Sequence, residues 1–292
     1  MTRLRRWWYR LRYGRSLAHV RLVVSDVDGT LVSLGEALPN STATLLQQLR
    51  SRGIELAFAS ARPYPGIHRL LHSAGIAAWI ISLDGALTHT PAGEVAAALN
   101  FPHPLLESIL EAASHYDIHY AAFTPHDLLH TPRVHIPSYL DDPELPRREL
   151  HLRSALFEHP VVLLICSGAA PQVTGLLKAL DRLPRAQRRQ LQLGVTESFS
   201  LPGTLLLEIR LRNAHKGTAA QFLMRQLGIA PWQVLALGDY RNDLPLFRVS
   251  GWRVAMADAV AELRSQADWI TQRPASEYGI EEVLQQLLQA HR

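Results

Sequence analysis

The chain is short of cysteine and of lysine, and each shortage excludes something. A single cysteine, Cys166, rules out an internal disulfide. It follows the apolar run Val161 to Ile165 and reads as a small buried hydrophobe, which fits a reducing cytoplasm. No apolar run approaches the roughly 18 residues that mark a membrane span. Only Lys178 and Lys216 are lysine, the other 28 of 30 basic residues being arginine. A compact ammonium differs from a planar guanidinium in shape and hydration, so a site that needs a point charge retains lysine, and this singles out Lys216. Acid is missing from the N-terminal stretch, which holds Arg3, Arg5, Arg6, Arg10, Arg12, Arg15 and Arg21. The rest of the chain carries 23 basic against 26 acidic residues, so the net charge of +4 belongs to an arm. The body gives no reason to expect a nucleic-acid partner.

A length of 292 residues suggests two domains, or one with a large insertion, and 47% hydrophobic residues suffice for a sizeable core. In the arm, residues 1–16, Leu4, Trp7, Trp8 and Leu11 recur at helical spacing with arginines between them. A basic amphipathic helix of this kind makes weak contact with an anionic membrane surface or a partner, or folds back on the body. Both readings stay open, as does the oligomeric state.

Beyond the arm, strands and helices alternate. The apolar run Val20 to Val24 is followed by a helix with Leu45, Leu46 and Leu49 on one face, the strand Ile54 to Ala59, a second helix carrying Ile67, Leu70 and Leu71, and the strand Trp79 to Leu83. From about Thr88 to Pro202 the chain becomes rich in His and Pro, with strand pieces at His119 to Phe123 and Val161 to Ile165. The α/β rhythm resumes with the strand Thr204 to Leu211, a helix from Lys216, and the strand Val234 to Leu237. The expected fold class is α/β: a parallel sheet core with helices on both faces, built from residues 17–87 and 203–292, and an inserted α+β domain at 88–202.

Chemistry concentrates where the strands end. The first strand opens into Asp26-Val27-Asp28-Gly29-Thr30, two carboxylates one residue apart at the sheet edge where ligands of open α/β sheets gather. Such a pair calls for a cation, and a hard divalent ion held by carboxylates and phosphate oxygens answers it. A carboxylate can also act as a nucleophile that splits one phosphoryl transfer into two. Taken alone, Asp-x-Asp-Gly is equally an Asx turn. Three further features follow in order: Ser60 with Arg62 after the second strand, Lys216 at a helix start, and Gly238-Asp239-Tyr240-Arg241-Asn242-Asp243 after the strand Val234 to Leu237.

Together these four pieces resemble the haloacid dehalogenase-like phosphohydrolases, in particular the Cof-type phosphatases, across nearly the whole chain apart from the arm. The resemblance implies a Rossmann-like core, a large α/β cap and a magnesium-dependent phosphatase acting on small phosphorylated metabolites such as sugar or nucleotide-like phosphates. By the same resemblance Asp26 is the nucleophile, Asp28 the acid and base, and Ser60 and Lys216 the groups that hold the transferring phosphoryl. Asp26, Asp28 through its backbone carbonyl, Asp239 and Asp243 are implied as the metal site. Thr30, Arg62, Asp84, Gly85, Asn213 and Asn242 are implied as substrate contacts. Three positions depart from the family pattern: Ala61 and Asp258, where Gly and Asn are usual, and Asp84, which brings a further negative charge near an anionic substrate. Two alternatives remain open, a phosphomutase or phosphotransferase using the same aspartates and a non-catalytic binding protein tethered by its basic arm.

Overall fold

Strand β1 (Leu22–Asp26) is buried along its whole length, as a strand between two layers must be. Val23 turns to one face and Leu22 and Val24 to the other, the period-two alternation of a strand. The computed structural model describes residues 16–150, 153–198 and 200–292, so the arm lies outside the described residues except for Ser16. After β1 come α1 (Asn40–Ser51), β2 (Glu55–Ala59), α2 (Tyr64–His72), β3 (Trp79–Ser82), β4 (Leu87–His89), β5 (Val95–Ala98), α3 (His103–Ala113), β6 (His119–Phe123), β7 (Leu128–His130) and β8 (Arg147–Glu149). The chain continues through β9 (Leu163–Ala169), α4 (Ala170–Asp181), α5 (Arg185–Arg188), β10 (Leu191–Glu197), β11 (Thr204–Leu211), α6 (Lys216–Gln226) and β12 (Val234–Gly238). It closes with α7 (Leu244–Val249), β13 (Trp252–Ala255), α8 (Ala261–Arg264), β14 (Trp269–Ile270) and α9 (Ile280–Ala290).

Eight strands form one sheet in the order β14-β13-β12-β1-β2-β3-β4-β5, parallel from β14 to β3 and antiparallel at β4 and β5. Helices α1, α2 and α9 cover one face through Leu46, Leu49, Ile67, Leu71 and Leu284, and α6, α7 and α8 cover the other through Leu223, Phe247 and Leu263. The sequence accounts for this directly: in α9, Ile280, Val283, Leu284, Leu287 and Leu288 fall on one face, and Glu281 and Glu282 occupy the first turn, where the helix dipole favours acid. The apolar strand runs pack between the two helical layers, the α/β arrangement expected.

The second sheet has six strands in the order β10-β11-β9-β6-β7-β8 and its own core, from Leu105 and Ile109 of α3 to Ile165 of β9 and Leu176 of α4. Cys166 is wholly buried there, and burial pushes its thiol far above the usual range. Two segments differ from expectation. Thr204–Leu211, expected in the parallel sheet, pairs antiparallel with β9 and β10 in the second one. Its alternation of apolar Leu207, Ile209 and Leu211 with Glu208 and Arg210 is that of a half-buried antiparallel strand, whereas β1 is apolar on both faces. Conversely, β4 runs past residue 87 and β5 lies wholly beyond it, yet they extend the first sheet as an antiparallel edge. Among the described residues no helix is long and apolar enough to cross a membrane.

His89, on β4, is buried and stacks on Tyr64 with ring centroids 4.1 Å apart, and its Nδ1 has no hydrogen-bond partner among the described residues. Burial, reinforced by the neighbouring His126, pulls its pKa down to about 4. The folded state therefore binds the proton less well than the unfolded chain, whose histidine titrates near 6.5. Stability is complete above that value and falls as pH drops toward 4, by about 3 kcal/mol. Urea titrations at pH 7 and pH 4 should show this loss shrinking in His89→Phe; an equal loss in both proteins rejects the assignment.

Candidate active site

The carboxyl ends of β1, β2, β3 and β12 meet at one edge of the first sheet, and the polar residues of the sequence motifs converge there. Asp26 ends β1, Ser60 follows β2, Asp84 sits in the turn after β3, and Asp239 follows β12. Lys216 opens α6, and its side chain runs inward with no solvent exposure. Its Nζ donates to Asp26 Oδ1 at 2.6 Å and to Asp243 Oδ1 at 2.7 Å. Burial opposes its charge, but Asp243 and Asp26 outweigh that and hold its pKa far above the lysine range. The second oxygen of Asp243 accepts the backbone N–H groups of Asp239 and Tyr240 at 3.0 and 3.1 Å. That carboxylate is thus held rigidly and wholly buried.

Asp26, Asp239 and Asp243 each offer an oxygen within 4.8 Å of the others. Asp26 has its pKa pushed well up by burial and by Asp243, and burial also raises Asp239. Crowded, hard carboxylate oxygens with Asp239 still partly open to solvent suit an oxygen-seeking divalent cation. Asp28 does not join this cluster with its side chain. Its carboxylate faces Arg62, which engages both of its oxygens, with Nε 2.8 Å from Oδ2, and Ser60 Oγ at 3.4 Å. Thr30, expected at the substrate, is completely buried and donates to Asp239 Oδ1 at 2.9 Å, so it orients a carboxylate instead. Gly29 has φ +81°, and a Cβ there would stand 2.5 Å from Asp239 Oδ2. Only glycine lets the loop after β1 come that close.

The three departures have local explanations. Ala61 has no positive φ, so the turn closes without glycine, with the Arg62 N–H donating to Ser60 Oγ at 3.1 Å. Asp258 is exposed. Asp84 is buried in a left-handed conformation with φ 55°, and its charge is compensated: Arg210 Nη1 donates to Oδ2 at 2.7 Å and Asn242 Nδ2 to Oδ1 at 3.0 Å. Although burial pushes the other way, Lys216 and Arg210 hold its pKa below the usual carboxylate value. Gly85, next to it, lies where a Cβ would meet the carbonyl of His215 at 2.5 Å, so the turn packs directly on the start of α6. Asn213 is exposed, and no hydrogen bond among the described residues ties its side chain to the carboxylates.

Arg210 belongs to a chain of contacts that the motifs do not mark. Arg210 also pairs with Glu208, and Glu208 Oε2 accepts the Tyr139 hydroxyl at 2.7 Å. The line Asn242, Asp84, Arg210, Glu208, Tyr139 runs from one sheet to the other. The sequence signal was present in part: a charged Glu208 and Arg210 in an otherwise apolar strand.

An α/β sheet with acidic residues at the ends of adjacent strands and a lysine at a helix start defines a phosphoryl-handling class of enzyme. The model of the haloacid dehalogenase-like hydrolases matches residues 23–284, and the chain belongs to that family, in its Cof-type branch. It is 25% identical over 291 residues to phosphatase YwpJ of Bacillus subtilis, covering 92% of this chain and 100% of that one. It is also 25% identical over 247 residues to the HMP-PP phosphatase of Serratia proteamaculans, covering 84% and 86%. The crystal structure of a haloacid dehalogenase-like hydrolase from Bacteroides thetaiotaomicron shares the fold, with a TM-score of 0.72 at 21% identity over 92% of this chain and 99% of that chain.

Replacing Lys216 by methionine leaves Asp26 and Asp243 buried beside each other without their cation. Breaking a buried ion pair in this way costs about 3 to 5 kcal/mol. Urea denaturation of Lys216→Met at pH 7 should show a loss of that order, and a stability within 1 kcal/mol of wild type, itself about the worth of a surface pair, would contradict the role given to the ammonium.

Proposed function

We propose that the protein is a magnesium-dependent phosphatase that hydrolyses small phosphorylated metabolites through an aspartyl-phosphate. The observation that supports this best is the buried Asp26–Lys216–Asp243 arrangement, with Asp239 beside it and Asp28 two residues along the chain. Asp26 attacks phosphorus; an Oδ–P bond forms as the ester P–O bond breaks. Asp28 gives its proton to the departing oxygen, then takes one from the water that attacks the aspartyl-phosphate and restores Asp26. Ser60 and Lys216 hold the phosphoryl oxygens, the positioning and charge stabilisation that dominate phosphoryl transfer. Because Lys216 is fixed by two carboxylates before substrate arrives, little reorganisation is needed.

Asp26 and Asp239 would hold the magnesium, with the backbone of Asp28, and Asp243 would orient the site because both of its oxygens are already engaged. The bound ion supplies positive charge that offsets the repulsion between the phosphate and the carboxylates. Asp28 reaches the leaving oxygen once Arg62 releases it, and an incoming phosphate competes for that guanidinium. We assign the six-stranded sheet and its helices as the cap that covers the site and excludes water during the first transfer. The names of the relatives, an HMP-PP phosphatase and phosphatase YwpJ, support the same reaction class.

Inorganic phosphate release from a metabolite panel and from p-nitrophenyl phosphate, with and without magnesium, tests the reading. Turnover should require the ion and fall at least about a thousandfold in Asp26→Asn. Transfer of phosphate to a second metabolite in place of water would establish a phosphotransferase instead, and absence of turnover in the folded protein would sink both.

A further inference from the structure

Beside the catalytic cluster, a cavity of about 550 Å³ opens between the end of β11 and the start of α7. Four arginines line it, Arg210, Arg212, Arg241 and Arg248, against the single carboxylate of Asp84. The arginines come from both sides: Arg210 and Arg212 lie on or just after β11 of the second sheet, and Arg241 and Arg248 flank and occupy α7 beneath the first. Arg210 pairs with Asp84 and Glu208, and Arg241 lies 3.3 Å from Glu262. Arg212 is different: its guanidinium donates to the carbonyl oxygens of Arg189 at 2.8 Å and Leu191 at 2.9 Å, and among the described residues no carboxylate pairs with it. Those neutral acceptors orient the group without cancelling its charge. Arg248 also lines the cavity, near enough for its charge to act on His215. His215 itself accepts the Thr218 N–H on Nδ1 and so presents a neutral ring there.

The cavity lining adjoins the catalytic residues along the chain. His215 immediately precedes Lys216, Asn242 immediately precedes Asp243, and Asp84 and Asn242 hydrogen-bond to each other on the shared side. Lys216 Nζ in turn donates to Asp26 Oδ1 at 2.6 Å, so a single residue links the cavity lining to the reacting aspartate. A concave site with excess positive charge concentrates anions, and planar guanidinium groups bind phosphate and carboxylate in paired hydrogen bonds.

We propose that this arginine-lined cavity is a second anion subsite, so that the preferred substrates carry another phosphate or a carboxylate at the end remote from the phosphoryl group that is transferred. The inference rests on the phosphatase reading for the first of the two groups. Because the subsite draws arginines from both sheets, its occupant is held only when the two sides face each other across it, which links recognition of the remote group to enclosure of the site.

The test compares matched pairs: fructose 1,6-bisphosphate with fructose 6-phosphate for a second phosphate, and 3-phosphoglycerate with glycerol 3-phosphate for a carboxylate. The ratio of kcat/KM within each pair is measured for wild type, Arg212→Ala and Arg248→Ala. At least one ratio should favour the doubly anionic compound by about tenfold or more, the worth of a hydrogen bond to a charged group, and should collapse toward one in both variants. A folding defect lowers both members of a pair together and leaves the ratio intact. Dissociation constants of the same compounds for Asp26→Asn, by calorimetry, give the ratio without turnover. If no phosphate is released yet binding still favours the doubly anionic compounds, the phosphatase reading fails and the subsite stands. Ratios near one for both pairs in wild type, or ratios that survive both substitutions, overturn the subsite.

Discussion

An ammonium with no access to water, held between two carboxylates, is the constraint around which this protein is arranged. Lys216 can remain charged only if Asp26 and Asp243 are brought to it, and each arrives from a different strand end of the same sheet. Asp243 in turn needs the N–H groups of Asp239 and Tyr240, which fixes the turn after β12, and Asp239 takes the hydroxyl of Thr30, which ties that turn back to the loop after β1. Gly29 permits the approach. This edge of the sheet is therefore a circuit of hydrogen bonds linking β1, β12, α6 and α7, and it fixes the position of Asp26.

Much of this was legible in the sequence because the relevant signals are local. The apolar strands that end in acid, the rarity of lysine and the Gly-Asp-x-x-Asn-Asp turn each place a residue at a strand or helix end, and the fold brings those ends together. What could not be read was pairing across the chain. Thr204–Leu211 alternates as a half-buried antiparallel strand does, but nothing local names its partner β9, which lies in the segment between the two halves of the parallel sheet. Thr30 carries a hydroxyl suited to phosphate, and only the packing shows that Asp239 already uses it. Arg210 is 126 residues from Asp84, and no spacing rule connects them.

The same pairing changes the meaning of Asp84. As a sequence feature it is an unwelcome negative charge near an anionic substrate; in the structure it is one end of an ion pair whose other end belongs to the second sheet. Its left-handed backbone, the adjacent Gly85 against His215, and Asn242 on its other oxygen make it a junction between the reacting edge and the strand that leads back from the second sheet. Buried charge is retained here at a point where the two sheets meet through the Asp84–Arg210 pair.

The short passage from β11 to α6 bears on how such a molecule can diversify. Only residues 212–215 separate the last strand of the second sheet from Lys216. A graft that exchanged the intervening domain at this junction, as shuffling or engineering does, would remove Arg210 together with the strand that carries it. Asp84 would then remain in the recipient, buried and without the guanidinium it pairs with. Modular exchange is thus restricted to donors that bring their own cation to this position, or to recipients in which Asp84 has already been replaced by a neutral residue, and the two changes are expected to be inherited as a unit.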